Sequence, residues 1–225
     1  MTSVPPVTLY LLIINVVMFL ATIALQQGGG IDLNNWLGLH FWKASGFNPC
    51  QFFTYQFMHG GFSHLFFNMF SLWMLGPLLE RVLGSRRYLL YYIICGIGAG
   101  LAQELMWHFT WQDSYNALLA QYPGLPVDEF YDLLVTIGAS GAIFGILLAF
   151  GMIFPNLPLS LMFIPYPVKA KWFVLGYGVI ELLFGVTRTM NGVAHYAHLG
   201  GMITGIILIL YWKHNGTLRK RYGIY

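Results

Sequence analysis

Six segments of this chain are apolar and close to the roughly 20 residues that a helix needs to cross a bilayer. They are about Val7–Leu25, Ser63–Leu83, Tyr88–Phe109, Ala139–Phe154, Trp172–Val186 and Val193–Trp212. Lipid offers the backbone no hydrogen-bond partner, so each segment must satisfy its own amides as a helix. The expected fold class is therefore all-α, a polytopic membrane protein with six transmembrane helices. Composition excludes a soluble alternative: 57% of residues are hydrophobic and 8% charged, against about 25% charged in soluble domains. The bilayer is the first expected partner, and no nucleic-acid partner is expected from a net charge of +3. No linker, low-complexity tail or repeat divides the chain, so residues 1–225 are read as a single membrane domain. No cleavable leader is expected, because the first apolar run lacks a basic flank and is long enough to span. Cys50 and Cys95 are expected as free thiols.

Lysine and arginine set the orientation. Nine of eleven fall on one side: Arg81, Arg86, Arg87, Lys169, Lys171, Lys213 and the run Arg219, Lys220, Arg221. Only Lys43 and Arg188 fall on the other. The positive-inside rule then puts both termini in the cytoplasm and the acidic stretch Thr110–Gly138 outside. His40 and His59 before the second segment, and Glu104, Trp107 and His108 late in the third, are expected at the outer interface.

In this orientation the second, fourth and sixth segments all run inward, and each carries polar residues near its start. They are His64 and Asn68, Ser140 in GASGAIFG (138–145), and His198 in AHYAHLGG (194–201). Counting back from each inner end at about 1.5 Å per residue puts all four roughly 18–24 Å above the inner boundary. Against a hydrocarbon core of about 30 Å, that is below the outer surface. A serine and a histidine at one depth suit a nucleophile and its general base. His64 and Asn68 share a helix face and can donate to a developing oxyanion, as can the open N–H groups at the fourth helix start. Phe144, one turn after Ser140, can stack on the His198 ring. Each residue also has a plainer reading. Ser140 and the Gly201/Gly205 pair can serve close helix packing, and the histidines can bond across helices.

No acid is tied to His198 by the sequence. A Ser–His dyad is expected, with the imidazole oriented by packing. Glu181 is a buried acid in the fifth segment, with a structural hydrogen bond as its expected role. His195 is expected nearer the external boundary, in packing or water access. No metal is expected, because no HExxH run or suitably spaced acid accompanies the histidines.

These motifs resemble those of the rhomboid intramembrane serine proteases. GASGAIFG is similar to that family's nucleophile motif and AHLGG (197–201) to the segment carrying its histidine. HGGFSHLFFNMFSLWMLGPLLERVLGS (59–85) is similar to its second span, with an HxxxN pair at His64 and Asn68 and an exit at Glu80, Arg81 and Gly84. The resemblance covers roughly 48–204, places the core of the domain at about 48–213, and fits the six-span bacterial form. It implies Ser140 and His198 as the catalytic pair, no cofactor, and a multi-pass protein of the plasma (bacterial inner) membrane. The implied reaction is cleavage of transmembrane segments of other membrane proteins, at small residues in helices that unwind easily. A lateral gate at the fifth helix and the loop 188–192 is implied too. Cys50-Gln51 stands where some members have Trp-Arg, and Phe144 where some have tyrosine. The alternative is a non-catalytic membrane-protein-binding factor on the same scaffold.

Overall fold

The computed structural model describes residues 3–159, 166–187 and 194–218. The loop 188–192 with Arg188, and the basic run 219–221, lie outside the described residues. Each apolar segment forms one helix: α1 (Pro6–Gly29), α2 (Phe62–Leu83), α3 (Ser85–Leu119), α4 (Ser140–Ile153), α5 (Ala170–Thr187) and α6 (His195–His214). Two pairs of two-residue strands are the only extended pairing among the described residues. The chain is thus all-α and polytopic. Among the described residues, α1, α2, α3 and α5 are each long and apolar enough to span a membrane.

The helices are apolar outside as well as inside. α1 exposes Tyr10, Val17 and Leu20, α2 exposes Phe62, Phe67 and Trp73, and α6 exposes Ile203, Ile207 and Tyr211. Large apolar surface of this kind fits lipid and not water. α4 is different. Twelve of its fourteen residues are buried, as expected of a helix that is apolar on every side. It forms the centre, with α2, α3, α5 and α6 around it. At fourteen residues it is only about 21 Å long, shorter than a hydrocarbon core of about 30 Å.

Glycines permit this central packing. A Cβ on Gly201 of α6 would fall on the Gly141 carbonyl oxygen of α4. One on Gly205 would fall on the Tyr91 hydroxyl, and one on Gly145 would come 2.6 Å from Cys95 Sγ. Tyr91 Oη in turn donates to the Gly145 carbonyl at 2.8 Å. The GxxxG run of α6 is thus a close-packing face.

Glu80 explains how α1 is anchored. Its carboxylate is 2% exposed and accepts from Val7 N at 3.0 Å, Thr8 N at 2.7 Å, Thr8 Oγ1 at 2.8 Å and Ser85 Oγ at 2.8 Å. Two of these donors are orphan amides of the first α1 turn, where a negative charge is also favoured by the helix dipole. Glu80→Ala is expected to cost about 3 kcal/mol, since each buried donor left unpaired costs about 1–3 kcal/mol. Thermal unfolding in detergent should show a clear drop in Tm. An unchanged Tm would mean that α1 is held by apolar contact alone.

The third helix departs from its expected end. It continues from Phe109 to Leu119, about 52 Å in all, so its outer part passes beyond the hydrocarbon. Hydropathy falls there but helical periodicity does not. Trp107, Trp111, Tyr115 and Leu118 form one stripe packed on Phe41, Phe130 and Tyr131. Thr110 and Ser114 hydroxyls bond back to carbonyls one turn earlier. A short helix, Val127–Asp132, lies in the rest of the expected loop.

The loop between α1 and α2 is also ordered by buried polar groups. Gln51 Nε2 donates to Trp36 O at 3.2 Å and Gly46 O at 2.9 Å, and its Oε1 accepts from His40 N at 3.3 Å and Asn48 N at 3.1 Å. This one amide crosslinks four points of the loop. His40, His59 and Glu104 are 3%, 1% and 8% exposed, so protein covers them. Glu104 Oε2 accepts from Trp42 N at 3.1 Å. Cys50 and Cys95 are free.

Candidate active site

Ser140 opens α4, and no side chain caps that helix N-terminus. Its first amides therefore remain available to a ligand. Gly138, two residues earlier, has φ +132°, a backbone region that L side chains rarely adopt, and an added Cβ would lie 2.8 Å from His64 Nε2. Its own N–H donates to Tyr55 O at 2.9 Å. Glycine is thus required here both by conformation and by the close approach of His64.

His198 lies in the first turn of α6. Its Nε2 stands 2.8 Å from Ser140 Oγ. The Phe144 ring lies flat on the imidazole, with centroids 4.1 Å apart and planes 7° apart, and Tyr177 packs behind Phe144 at 5.3 Å. His64, Asn68, Ser140 and His198 all line one cavity of about 700 Å³, together with Ile137 and Ala194. The five residues picked out in the sequence are therefore gathered at one place. Packed helices bring together residues that lie at equal counts from one end.

The tautomers follow from the partners. Gly60 N–H donates to His64 Nδ1 across a long 3.4 Å, so a neutral His64 ring carries its proton on Nε2, where it can be donated. His59 packs edge-on to His64 at 5.0 Å. Burial, with the neighbouring His64 charge adding to it, pushes the His59 pKa down to about 4. His59 is therefore neutral near pH 7 and leaves His64 free of a fixed positive neighbour.

The expectation that packing alone orients His198 is corrected. Glu181 Oε2 lies 2.9 Å from His198 Nδ1 and 2.7 Å from His195 Nδ1. Glu181 and His195 are both 6% exposed. His195, the first residue of α6, is thus a second partner of the same carboxylate oxygen. A buried carboxylate in a span needs a partner, and that was the available signal. Counted up from Lys171, Glu181 is ten residues along α5, about 15 Å along the helix axis. Glu181, His195 and His198 also offer ligand atoms within 4.8 Å of one another. Two Nδ1 atoms converging on one carboxylate oxygen at hydrogen-bond distance are fully accounted for by two N–H donors and one acceptor.

With the geometry in hand, the relatives can be compared. A family model described as a rhomboid domain matches residues 47–214. RHOMBOID-like protein 4 of Arabidopsis thaliana is 28% identical over 209 residues, 90% of this chain and 43% of its own length. Rhomboid protease AarA of Providencia stuartii is 29% identical over 154 residues, 67% of this chain and 51% of its own. Rhomboid protease GluP of Bacillus subtilis is 28% identical over 151 residues, 66% of this chain and 23% of its own. In each case the match spans less than two thirds of the relative. The matched region runs from the loop between α1 and α2 to the end of α6 and encloses every residue of the cavity, so this multi-pass membrane protein belongs to the rhomboid family.

Proposed function

We propose that this protein is an intramembrane serine endopeptidase that cleaves transmembrane segments of other membrane proteins. The observation that carries the reading is the 2.8 Å approach of Ser140 Oγ to His198 Nε2 in a recessed cavity at an uncapped helix start. Ser140 Oγ attacks the scissile carbonyl carbon while its proton passes to His198 Nε2. The carbonyl oxygen becomes an oxyanion, stabilised by His64 Nε2–H, the Asn68 amide and the first amides of α4. As the C–N bond breaks, His198 returns the proton to the leaving amine. Water then enters by the mirror-image sequence, with His198 again as base, and releases the acyl group from Ser140. Substrate, water and these side chains supply every proton and electron pair in the two steps.

A helical peptide bond is shielded by its own hydrogen-bonded turn, so the substrate must be locally extended before attack. The short α4 supports this arrangement, because it leaves room above Ser140 for water and an unwound strand. Lysine and arginine distribution supports a multi-pass plasma-membrane protein with both termini cytoplasmic, and with the cavity towards the outer side. The anchoring of α1 by Glu80 supports the reading of residues 1–225 as one domain.

The test is to purify the protein in detergent and treat it with a fluorophosphonate. Labelling that maps to Ser140, together with cleavage of a single-span substrate, is the expected result. A folded protein that binds such substrates but neither labels nor cleaves them would instead be a non-catalytic binder.

The oxyanion roles make a separate prediction. His64→Ala and Asn68→Ala are each expected to lower kcat by about 10²–10³-fold with little change in KM, because such donors act mainly on the transition state. A raised KM at constant kcat would assign the side chain to ground-state binding instead.

A further inference from the structure

We propose that Glu181 is a positioning residue that turns the serine–histidine pair into a three-membered relay, with His195 as the second tether of its carboxylate. This rests on the serine endopeptidase reading of the same cavity.

The argument begins with one oxygen atom. Glu181 Oε2 receives both His198 Nδ1 at 2.9 Å and His195 Nδ1 at 2.7 Å. An ionised carboxylate only accepts, so both Nδ1 atoms must carry protons. In neutral His198 that leaves Nε2 bare and able to accept from Ser140 Oγ–H. A free imidazole can carry its proton on either nitrogen, and only one of the two tautomers can act as base toward Ser140. The carboxylate selects that one. It also faces the positive charge that His198 gains when it takes the serine proton, which favours the charged form.

His195 has a different task. It lies one turn before His198 on α6, while Glu181 comes from α5. A carboxylate bonded to both holds its acceptor atom fixed between two ring edges, and Phe144 covers one face of His198. The imidazole is thus confined by a flat ring, a carboxylate and a serine hydroxyl. With the carboxylate lost, the ring and the hydroxyl alone would leave it free to swing. The titratable groups around the pair are His64 from α2, Tyr177 on α5 and His195 on α6. None of them supplies a second negative charge near neutral pH.

Three variants test this: Glu181→Gln, Glu181→Asp and His195→Ala. Glu181→Gln keeps the shape but removes the charge and offers an amide N–H that favours the wrong tautomer. The expected result is a fall in kcat of about 10²-fold or more with KM nearly constant. The acid limb of kcat/KM reports the base in the free enzyme. Removing a neighbouring negative charge lowers that pKa, so the limb should move to lower pH by about one unit or more. Glu181→Asp, one methylene shorter with its charge retained, should recover part of kcat and return the limb towards its original position. His195→Ala leaves the whole carboxylate to His198. It should keep activity within about tenfold and shift the limb in the opposite direction, to higher pH.

A purely structural Glu181 would lower thermal stability and active fraction without moving the limb. That outcome in both Glu181 variants would overturn the proposal. Histidine ¹⁵N shifts give a readout that does not need activity. Wild-type His198 should be protonated on Nδ1 with Nε2 bare, and Glu181→Gln should shift it towards the other tautomer. An unchanged tautomer would also overturn the proposal. If the wild-type protein shows the expected tautomer yet never labels with fluorophosphonate, the endopeptidase reading fails while the tether stands.

Discussion

Ser140→Ala is expected to lower cleavage of a transmembrane substrate by about 10⁴-fold or more while leaving the protein folded. The size follows from the unity of the pair: once the nucleophile is gone, the base has nothing to activate. For the same reason, His198→Ala should be similarly severe, and the double variant no worse than either single one. Stability should hardly change. Alanine is a better helix former than serine, and only the hydrogen bond to His198 Nε2 is lost, about 1 kcal/mol. Cleavage would be followed by gel or mass spectrometry with equal amounts of folded protein, checked by thermal unfolding. Residual cleavage within tenfold of the wild type, after exclusion of a contaminating protease, would remove Ser140 from the nucleophile role.

How far these features are legible before any coordinates depends on which physical rule each obeys. The convergence of Ser140, His198, His64 and Asn68 on one cavity is legible because position along a helix is a one-dimensional quantity. Residue counting gives it, and residues at equal depth on packed helices meet. Phe144 followed from one helical turn. Glu181 escaped because its helix runs the other way, so its height must be counted from Lys171 upward, and because a carboxylate's partner is set by which neighbour it faces. Gln51 escaped for a related reason. A loop amide bonded to four backbone groups leaves no pattern in hydropathy. The end of α3 was misplaced because a helix leaving the membrane changes composition without changing period. The stripe Trp107, Trp111, Tyr115 and Leu118 carried that period and could have been read.

The second large effect is expected from a residue that touches no substrate. Gly201→Val should destabilise the fold and disable the site together. An added Cβ at Gly201 would occupy the position of the Gly141 carbonyl oxygen. That obstacle is helix backbone, which cannot swing aside as a side chain can, so α4 and α6 must move apart. Overpacking of this sort typically costs about 1–3 kcal/mol and sometimes more, and the extra branches of valine add to it. Separation is also transmitted directly to the reacting pair. Ser140 precedes Gly141 by one residue and His198 precedes Gly201 by three, so a shift of about 1 Å between the helices stretches the 2.8 Å contact beyond hydrogen-bond reach. Gly201→Ala should show the same two effects in milder form. Gly176 on α5 is the control, since an added Cβ there meets nothing within 4 Å. Gly176→Ala should keep activity and gain up to about 1 kcal/mol from helix propensity. Thermal unfolding and substrate cleavage measured on all three variants separate the effects of packing from those of composition. If Gly201→Ala matched Gly176→Ala in both measurements, α4 and α6 would not be held at glycine-limited distance, and the geometry assigned to the serine–histidine pair would lose its support.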